Sequence, residues 1–327
     1  MRHVEMADAE AVEELLNDCQ EPLTGKRPFL ATEIRSDWTQ VGFDLSRSAR
    51  VITTAADRIV GYAELWDINK PAVRMNAFAR VHPDYEGLGL ATALHDWIEA
   101  RARETVPEVP EDLRVSFECG VLDHHHAGLK LLQGRGYELV RHFFRMGIDF
   151  VDVAIPAPVL PEGVVIRPWT AVQEQFSLRD IVAVFEEAFQ DHWGHVAQPL
   201  ESLLKRWEHF VATAEDYHPD NWFLAIDGDQ LAGISLCFTS SQGVKTWGYV
   251  GDLAVLRPWR RHGLGLALLH HSFRAFQAAG FTRMELHVDA ASLTGATRLY
   301  EKAGMSVAER SQSYRKVLRP GRDVTTQ

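Results

Sequence analysis

The chain has 327 residues, of which 46% are hydrophobic and 24% charged, and its formal net charge is −11 at pH 7. This length suits two domains rather than one, and the apolar fraction is typical of proteins with packed α/β cores. An acidic chain lacks the basic face that nucleic-acid binding requires, and no apolar run approaches the ~20 residues that span a bilayer. We therefore expect a cytoplasmic protein that binds neither nucleic acid nor membrane.

The first half opens with a strand and an amphipathic helix. The strand is predicted near residues 2–6, and the helix begins near Asp8 with apolar residues on one face. Two further strands are predicted at 50–54 and 59–65, joined by a turn at Ala56-Asp57. These elements predict a small sheet covered by a helix.

A glycine-rich turn precedes the next helix, in the stretch Glu86-x-x-Gly89-x-Ala91. Because Gly89 and Ala91 carry little or no side chain, a bulky anion can approach the backbone N–H groups of the first helical turn. Glu86 adds a carboxylate, which is expected to repel phosphate. This half is therefore predicted to hold a weakened anion site.

Proline marks the end of the first half. A helix near residues 127–134 contains Leu132, and three prolines fall within the segment from Asp149 to Glu162. Such a segment is typical of a semi-rigid linker. We predict an N-terminal domain at 1–150, a linker at 151–162, a C-terminal domain at 163–320 and a tail at 321–327.

The second half repeats the order of the first. A strand at 164–168 is followed by an amphipathic helix that includes Ile181, Val184 and Phe185, and then by a hairpin with an Asp227-Gly228 turn. The repeat covers a whole domain, so the pattern predicts two similar folded units rather than a solenoid.

A second, stronger anion motif follows in the stretch from Trp247 to Phe273, where an apolar strand and Pro258 precede a basic glycine-rich loop and a helix. The string does not match a P-loop, and Leu268 stands where a Rossmann fingerprint needs its third glycine. The unpaired N–H groups and the positive dipole of the helix N-terminus favour pyrophosphate. The residues expected at this anion are Arg260, Arg261, His262, Gly263, Leu264, Gly265 and Leu266.

The chain closes with an alternating strand from Met284, a short helix containing Tyr300, and Gly304-Met305. Together, Arg260-x-x-Gly263-x-Gly265 and this closing segment resemble the acyl-CoA motifs of the GNAT acyltransferase superfamily. The resemblance implies an α/β fold of two tandem GNAT-like domains, each a twisted mixed sheet flanked by helices. The tandem order also resembles that of mycothiol synthase-like proteins.

The resemblance further implies acetyl-CoA as co-substrate, with no metal. Backbone N–H groups at Leu253 and Val255 would face the thioester and pantetheine, and Tyr300 would protonate the CoA thiolate, although its ring could instead only pack in the core. In the first half, Gly89 and Ala91 are the corresponding CoA contacts, while Leu132 replaces the tyrosine and cannot donate a proton. The C-terminal domain is therefore expected to be the catalytic one.

Two side chains are candidates for the general base. Asp252 lies on the motif strand, and His287 lies on the next strand, on the same face as Glu285 and Asp289 because side chains two residues apart point the same way. For each residue taken singly, a structural role is favoured over that of a base, and a water could carry the proton instead.

Residues 191–222 are rich in histidine, tryptophan and acids, and they occupy the region that shapes the acceptor pocket in the family. The expected activity is N-acetylation of a small-molecule amine by direct transfer. The alternatives are an acyl-CoA-binding sensor or scaffold without turnover, and a protein N-acetyltransferase.

Overall fold

The computed structural model describes residues 1–291 and 295–326. Contacts between residues divide the chain into two compact units. Unit 1 contains residues 1–142 and 311–325, and unit 2 contains residues 143–310 and Thr326. Compared with the domains predicted at 1–150 and 163–320, the units assign residues 143–150 to unit 2 and residues 311–320 to unit 1.

Unit 1 is a mixed sheet flanked by helices. Its strands lie in the order β1-β2-β3-β4-β5-β12, and among these pairs β4 and β5 are parallel while the others are antiparallel. The strands are β1 Arg2–His3, β2 Ala49–Thr53, β3 Ile59–Trp66, β4 Arg74–Val81, β5 Val115–Leu122 and the part of β12 (Ser306–Arg319) from Ser311. The helices are α1 Ala9–Thr24, α2 Ala31–Trp38, α3 Leu45–Ser48, α4 Leu90–Thr105 and α5 His126–Gly134.

Unit 2 repeats this architecture in the order β7-β8-β9-β10-β11-β6, with β10 and β11 as the parallel pair. The strands are β6 Glu138–Asp149 from Phe143 onward, β7 Val164–Pro168, β8 Tyr217–Asp227, β9 Gln230–Phe238, β10 Trp247–Val255 and β11 Arg283–Asp289. The helices are α6 Leu178–Phe189, α7 Leu200–Thr213, α8 Leu264–Ala278 and α9 Ala296–Lys302. The predicted α/β fold class, with a mixed sheet flanked by helices in each unit, is confirmed.

Two apolar clusters cover the opposite faces of the unit 2 sheet. One holds the buried face of α8, including Leu268 and Phe273, against Met284 and Leu286 of β11. The other packs α6 against β8 and β9 around Trp222, which is fully buried. Because the sheet is covered on both sides, the positions of β10 and its following loop are held firmly.

The parallel strands separate in the middle of each unit. In unit 2, β10 pairs with β11 from Trp247 to Val250, although β10 continues to Val255. In unit 1, β4 pairs with β5 only from Arg74 to Ala77. Beyond these points a gap opens between the two strands, and a chain-like ligand can reach their backbone.

The described residues contain no helix that is both long enough and apolar enough to cross a bilayer.

Candidate active site

The loop between β10 and α8 is shaped to receive an anion. Gly263 adopts a left-handed conformation, with φ of 85°, and its position is the N-cap of the 15-residue helix α8. In the described part of the chain no side chain caps this helix, and a Cβ added to Gly263 would meet no atom within 4 Å. The first N–H groups of α8, at Leu264, Gly265 and Leu266, therefore lie at an open helix N-terminus.

The basic residues of this loop have different surroundings. Arg260 is held within the protein, because its Nε donates to the Val255 carbonyl at 2.9 Å and its Nη1 to Asp191 at 2.9 Å. Arg261 and His262 are exposed. In this structure Arg260 thus fastens the segment after α6 to the end of β10, and Arg261 and His262 are exposed side chains that follow it in the loop.

Asp252 lies on β10 just beyond the last residue that pairs with β11. The register with β9 shifts between Val250 and Asp252, which places a bulge at Gly251. Burial raises the pKa of Asp252 to about 7. Among the described residues, its carboxylate forms no hydrogen bond or ion pair. A partly buried carboxylate that titrates near neutral pH and has no partner is suited to accept a proton.

Leu253 and Val255 continue the same strand. On one side they keep antiparallel pairing to Ser235 and Gly233 of β9. On the other side neither has a β11 partner within the described residues. This half-paired segment begins one residue after Asp252 and leads directly to the anion loop.

Tyr300, on α9, packs in the core cluster with 9% of its surface exposed. Burial, followed by the charges of Tyr249 and Asp252, raises its pKa to about 12. The phenol is therefore protonated at neutral pH, and it lies close enough to Asp252 to feel the charge of that carboxylate. Leu299, its neighbour, lies 3.2 Å from the place where a Cβ of Gly265 would be, so α9 and the anion loop are in contact.

The polar face of β11 carries Glu285, His287 and Asp289, because Met284, Leu286 and Val288 face the apolar cluster. Glu285 is fully buried and accepts hydrogen bonds from Ser241, Gln242 and Arg283. Although burial opposes ionisation, these bonds lower the pKa of Glu285. Its oxygens are occupied, so Glu285 stabilises the fold rather than accepting a substrate proton.

His287 stacks on Phe143 of β6, with ring centroids 5.2 Å apart and planes at 15°. The His287 residue is exposed on one side, yet desolvation by its neighbours and the nearby Arg145 cation lower its pKa. An imidazole in these surroundings is neutral but is a weaker base than an unperturbed histidine. Of the two predicted bases, Asp252 has the more suitable pKa.

Three side chains near these residues were not predicted from the sequence. Phe143 and Arg145 come from β6, and the Arg145 guanidinium lies 5.6 Å from the ring of Tyr249 and 3.5 Å from Glu285. Tyr249 could have been noticed as a polar residue on the motif strand. The contribution of β6 depends on its pairing with β11, which sequence periodicity does not reveal.

The segment after α6 lies near this polar face. Trp193 meets Phe143 edge-on at 6.4 Å, while Asp191 is paired with Arg257 and Arg260. His195 lies 3.2 Å from Glu186. Of the residues predicted for an acceptor pocket, Trp193 is therefore joined through Phe143 to His287, whereas Asp191 is held at the anion loop.

Unit 1 has a counterpart of the anion loop. Gly89 is the left-handed N-cap of the 16-residue helix α4, with φ of 79°, and Ala91 lies in the first turn. The Glu86 side chain is exposed. This loop borders a cavity of about 570 Å³ between β4 and β5, and Leu132 of α5 lines the same cavity.

Comparisons with known proteins agree with this geometry. The profile described as "Acetyltransferase (GNAT) family" matches residues 9–116 and 178–305. The mycothiol acetyltransferase of Streptomyces scabiei is 29% identical over 266 residues, which cover 81% of this chain and 79% of the relative. The corresponding protein of Streptomyces coelicolor is 27% identical over 266 residues, covering 81% of this chain and 78% of the relative.

One solved structure shows the same family, and a second shows the same fold. The chain is 32% identical to a GCN5-related N-acetyltransferase from Sphaerobacter thermophilus, with a TM-score of 0.78 and coverage of 100% of this chain and 98% of that one. A tandem GNAT protein from the clavulanic acid biosynthesis pathway shares the fold, with a TM-score of 0.70 at 12% identity and 98% coverage of both chains. The chain therefore belongs to the GNAT acetyltransferase family, with two GNAT regions in tandem, and it is an N-acetyltransferase.

Proposed function

We propose that unit 2 transfers the acetyl group of acetyl-CoA directly to a small-molecule amine. The observation that carries this proposal is the position of Asp252, a carboxylate without a partner in the described residues, at the point where β10 and β11 separate. Tyr300 lies within electrostatic reach on one side. On the other side of Asp252, β10 continues through Leu253 and Val255, which pair only with β9, to the open N-terminus of α8.

The loop would bind the co-substrate. Backbone N–H groups of Gly263 to Leu266, with the side chains of Arg261 and His262, would hold the pyrophosphate. Arg260 would contribute by supporting the loop through Val255, and also by direct contact if Asp191 releases it. The backbone of Leu253 and Val255 would hold the thioester carbonyl and the pantetheine, and an N–H aimed at the carbonyl oxygen stabilises the developing oxyanion.

The reaction then needs one base and one acid. Asp252 would take a proton from the ammonium group of the acceptor, so that a neutral amine attacks the thioester carbonyl. The new C–N bond forms as the C–S bond breaks, and Tyr300 would give its proton to the departing thiolate. The attacking nitrogen loses a proton as the amide forms, and that proton would restore the Tyr300 phenol. His287, with its lowered pKa, is the second candidate for the base.

A small-molecule acceptor is supported by the relatives and by the residues beside the site. The curated relatives with high coverage are mycothiol acetyltransferases. Trp193, Phe143 and His287 present aromatic surfaces next to the polar face of β11. Aromatic walls with a nearby acid suit an amine or an amino-sugar.

Replacing Gly263 by glutamate is expected to abolish acetyl-CoA binding at unit 2. The substitution adds a carboxylate at the N-terminus of α8 and strains a residue whose φ is positive. Isothermal titration of acetyl-CoA measures the effect. Gly263→Asn is the matched control, because asparagine tolerates this conformation and adds no charge. Unchanged affinity in Gly263→Glu would place the co-substrate elsewhere.

In unit 1, Gly89 and Ala91 are proposed to bind CoA without transferring its acyl group, because Leu132 has no proton to donate. Gly89→Glu is then expected to reduce the stoichiometry of CoA binding to the whole chain while amine acetylation continues. Titration of wild type and variant with the same CoA stock checks this. A stoichiometry equal to that of the wild type would mean that unit 1 binds no CoA.

A further inference from the structure

The cavity of unit 1 lies wholly within that unit, between β4 and β5 and beside α1, α4 and α5. Its volume of about 570 Å³ is in the range of small-molecule sites. The wall is mostly aliphatic, with Leu23, Val81, Val121 and Leu131 among the lining residues. Apolar walls of this kind accept the hydrocarbon part of a ligand.

One cation, Arg80 of β4, lies in this wall. Its Nη1 donates to the Ala79 carbonyl at 2.8 Å, and its guanidinium lies 4.3 Å from the Phe78 ring centroid. Among the described residues Arg80 has no carboxylate partner. Two other arginines of this unit are paired with carboxylates: Arg74 with Glu118 and Arg101 with Asp67.

The other titratable groups of the wall do not neutralise Arg80. Burial raises the pKa of both Cys19 and Cys119 to about 12, so these thiols are uncharged. Burial also lowers the pKa of His95 to about 4 and lowers that of His125, so both rings are neutral at pH 7. Glu86 is an acid of the wall, but its side chain is exposed at the loop.

Arg80 is partly buried. A partly buried cation without a counter-ion is costly, and a ligand that supplies the missing charge regains part of that cost as binding free energy. We propose that the unit 1 cavity binds an organic carboxylate whose aliphatic part fills the cavity and whose carboxylate pairs with the Arg80 guanidinium. The fork of the guanidinium matches the two oxygens of a carboxylate. The single positive charge of Arg80 balances a monoanion such as a carboxylate. A phosphate dianion would keep one negative charge without a partner.

Two kinds of molecule carry this chemistry. One is a free aliphatic acid. The other is a thioester of a dicarboxylic acid on CoA, whose thioester end is neutral and whose far end is a carboxylate. An acetyl thioester has no such group, and it would leave Arg80 unpaired. This inference concerns unit 1 and does not depend on acetyl transfer in unit 2.

The test compares charged probes with neutral probes of similar shape. Binding of hexanoate against hexanamide, and of succinyl-CoA against butyryl-CoA, is measured by equilibrium dialysis on the full chain and on Arg80→Gln. We expect the carboxylates to bind the wild type at least about tenfold more tightly than the variant, because a charge-assisted bidentate pair is lost. Hexanoate binding identifies free acids as ligands, and binding of succinyl-CoA alone identifies thioesters.

Two further variants separate the site from the fold. Arg50→Gln removes another partly buried guanidinium of unit 1, which lies 5.1 Å from the Trp97 ring and outside the cavity wall, and it should leave carboxylate binding unchanged. Gly120 lines the cavity, and an added Cβ meets nothing within 4 Å, so Gly120→Leu should fill the cavity and abolish binding in a folded protein. Equal affinities in wild type and Arg80→Gln, or no carboxylate binding to the wild type, would overturn the proposal.

Discussion

Replacing Tyr300 by phenylalanine is expected to lower kcat for acetyl transfer by about 10²-fold or more, within the range typical of a lost general acid. The dissociation constant of acetyl-CoA should change little, because the phenol acts on the departing thiolate rather than on the bound co-substrate. Steady-state kinetics with saturating amine, combined with titration of acetyl-CoA, measures both quantities.

Tyr300→Phe should have little effect on the stability of the folded protein. The Tyr300 ring packs in the core cluster, and its hydroxyl forms no hydrogen bond to the residues that the structure describes. Phenylalanine keeps the ring and leaves no partner unsatisfied, so the free energy of unfolding should stay within about 1 kcal/mol of the wild type.

Tyr217→Phe is the matched control, because it removes the hydroxyl of another tyrosine of unit 2 whose pKa burial raises to about 12. That ring packs on Trp222, away from the β10–β11 gap. A kcat for Tyr300→Phe within twofold of the wild type would show that Tyr300 only packs in the core.

Replacing Asp252 by asparagine is expected to lower kcat/KM by about 10²-fold or more and to change its dependence on pH. In the wild type, Asp252 must be ionised to accept a proton, and its pKa is raised to about 7 by burial. Activity should therefore rise with pH through about 7. In Asp252→Asn this rise of activity near pH 7 should disappear. The remaining dependence of kcat/KM on pH should then come only from ionisation of the acceptor amine.

The same substitution is expected to stabilise the protein at alkaline pH. A carboxyl whose pKa is higher in the folded state than in the unfolded state binds more protons when folded, so the free energy of unfolding falls as pH rises from about 4 to about 7. Above that range the wild type carries the full cost of a buried charge, on the order of 2–4 kcal/mol. Asparagine carries no charge and avoids this cost.

Thermal unfolding of wild type and Asp252→Asn at several pH values checks the expected stabilisation at alkaline pH. Asp216→Asn is the matched control for this measurement. Burial also raises the pKa of Asp216, which lies just before β8 and away from β11. Asp216→Asn should change the free energy of unfolding, but activity should still rise with pH through about 7 as in the wild type. If Asp252→Asn keeps an inflection near pH 7, the base is another group, and His287→Gln becomes the next variant.

The sequence alone identified the repeat, the mixed α/β fold and the two GNAT regions. It did so because the signals are local: left-handed glycine at Gly263 and Gly89, alternation along the strands, and a tyrosine one helix after the last strand of the motif. Each depends on backbone conformation within a few residues, so a short string is enough to reveal it.

Only the tertiary structure decided the partners of these residues. Arg260 is tied to Asp191, Phe143 is brought beneath His287, and Arg80 faces a cavity without a counter-charge among the described residues. These relations join residues that are far apart in the chain and depend on which strands lie side by side. Burial, pKa and charge balance follow from that arrangement, because they depend on every group that surrounds a side chain and not on its neighbours in sequence.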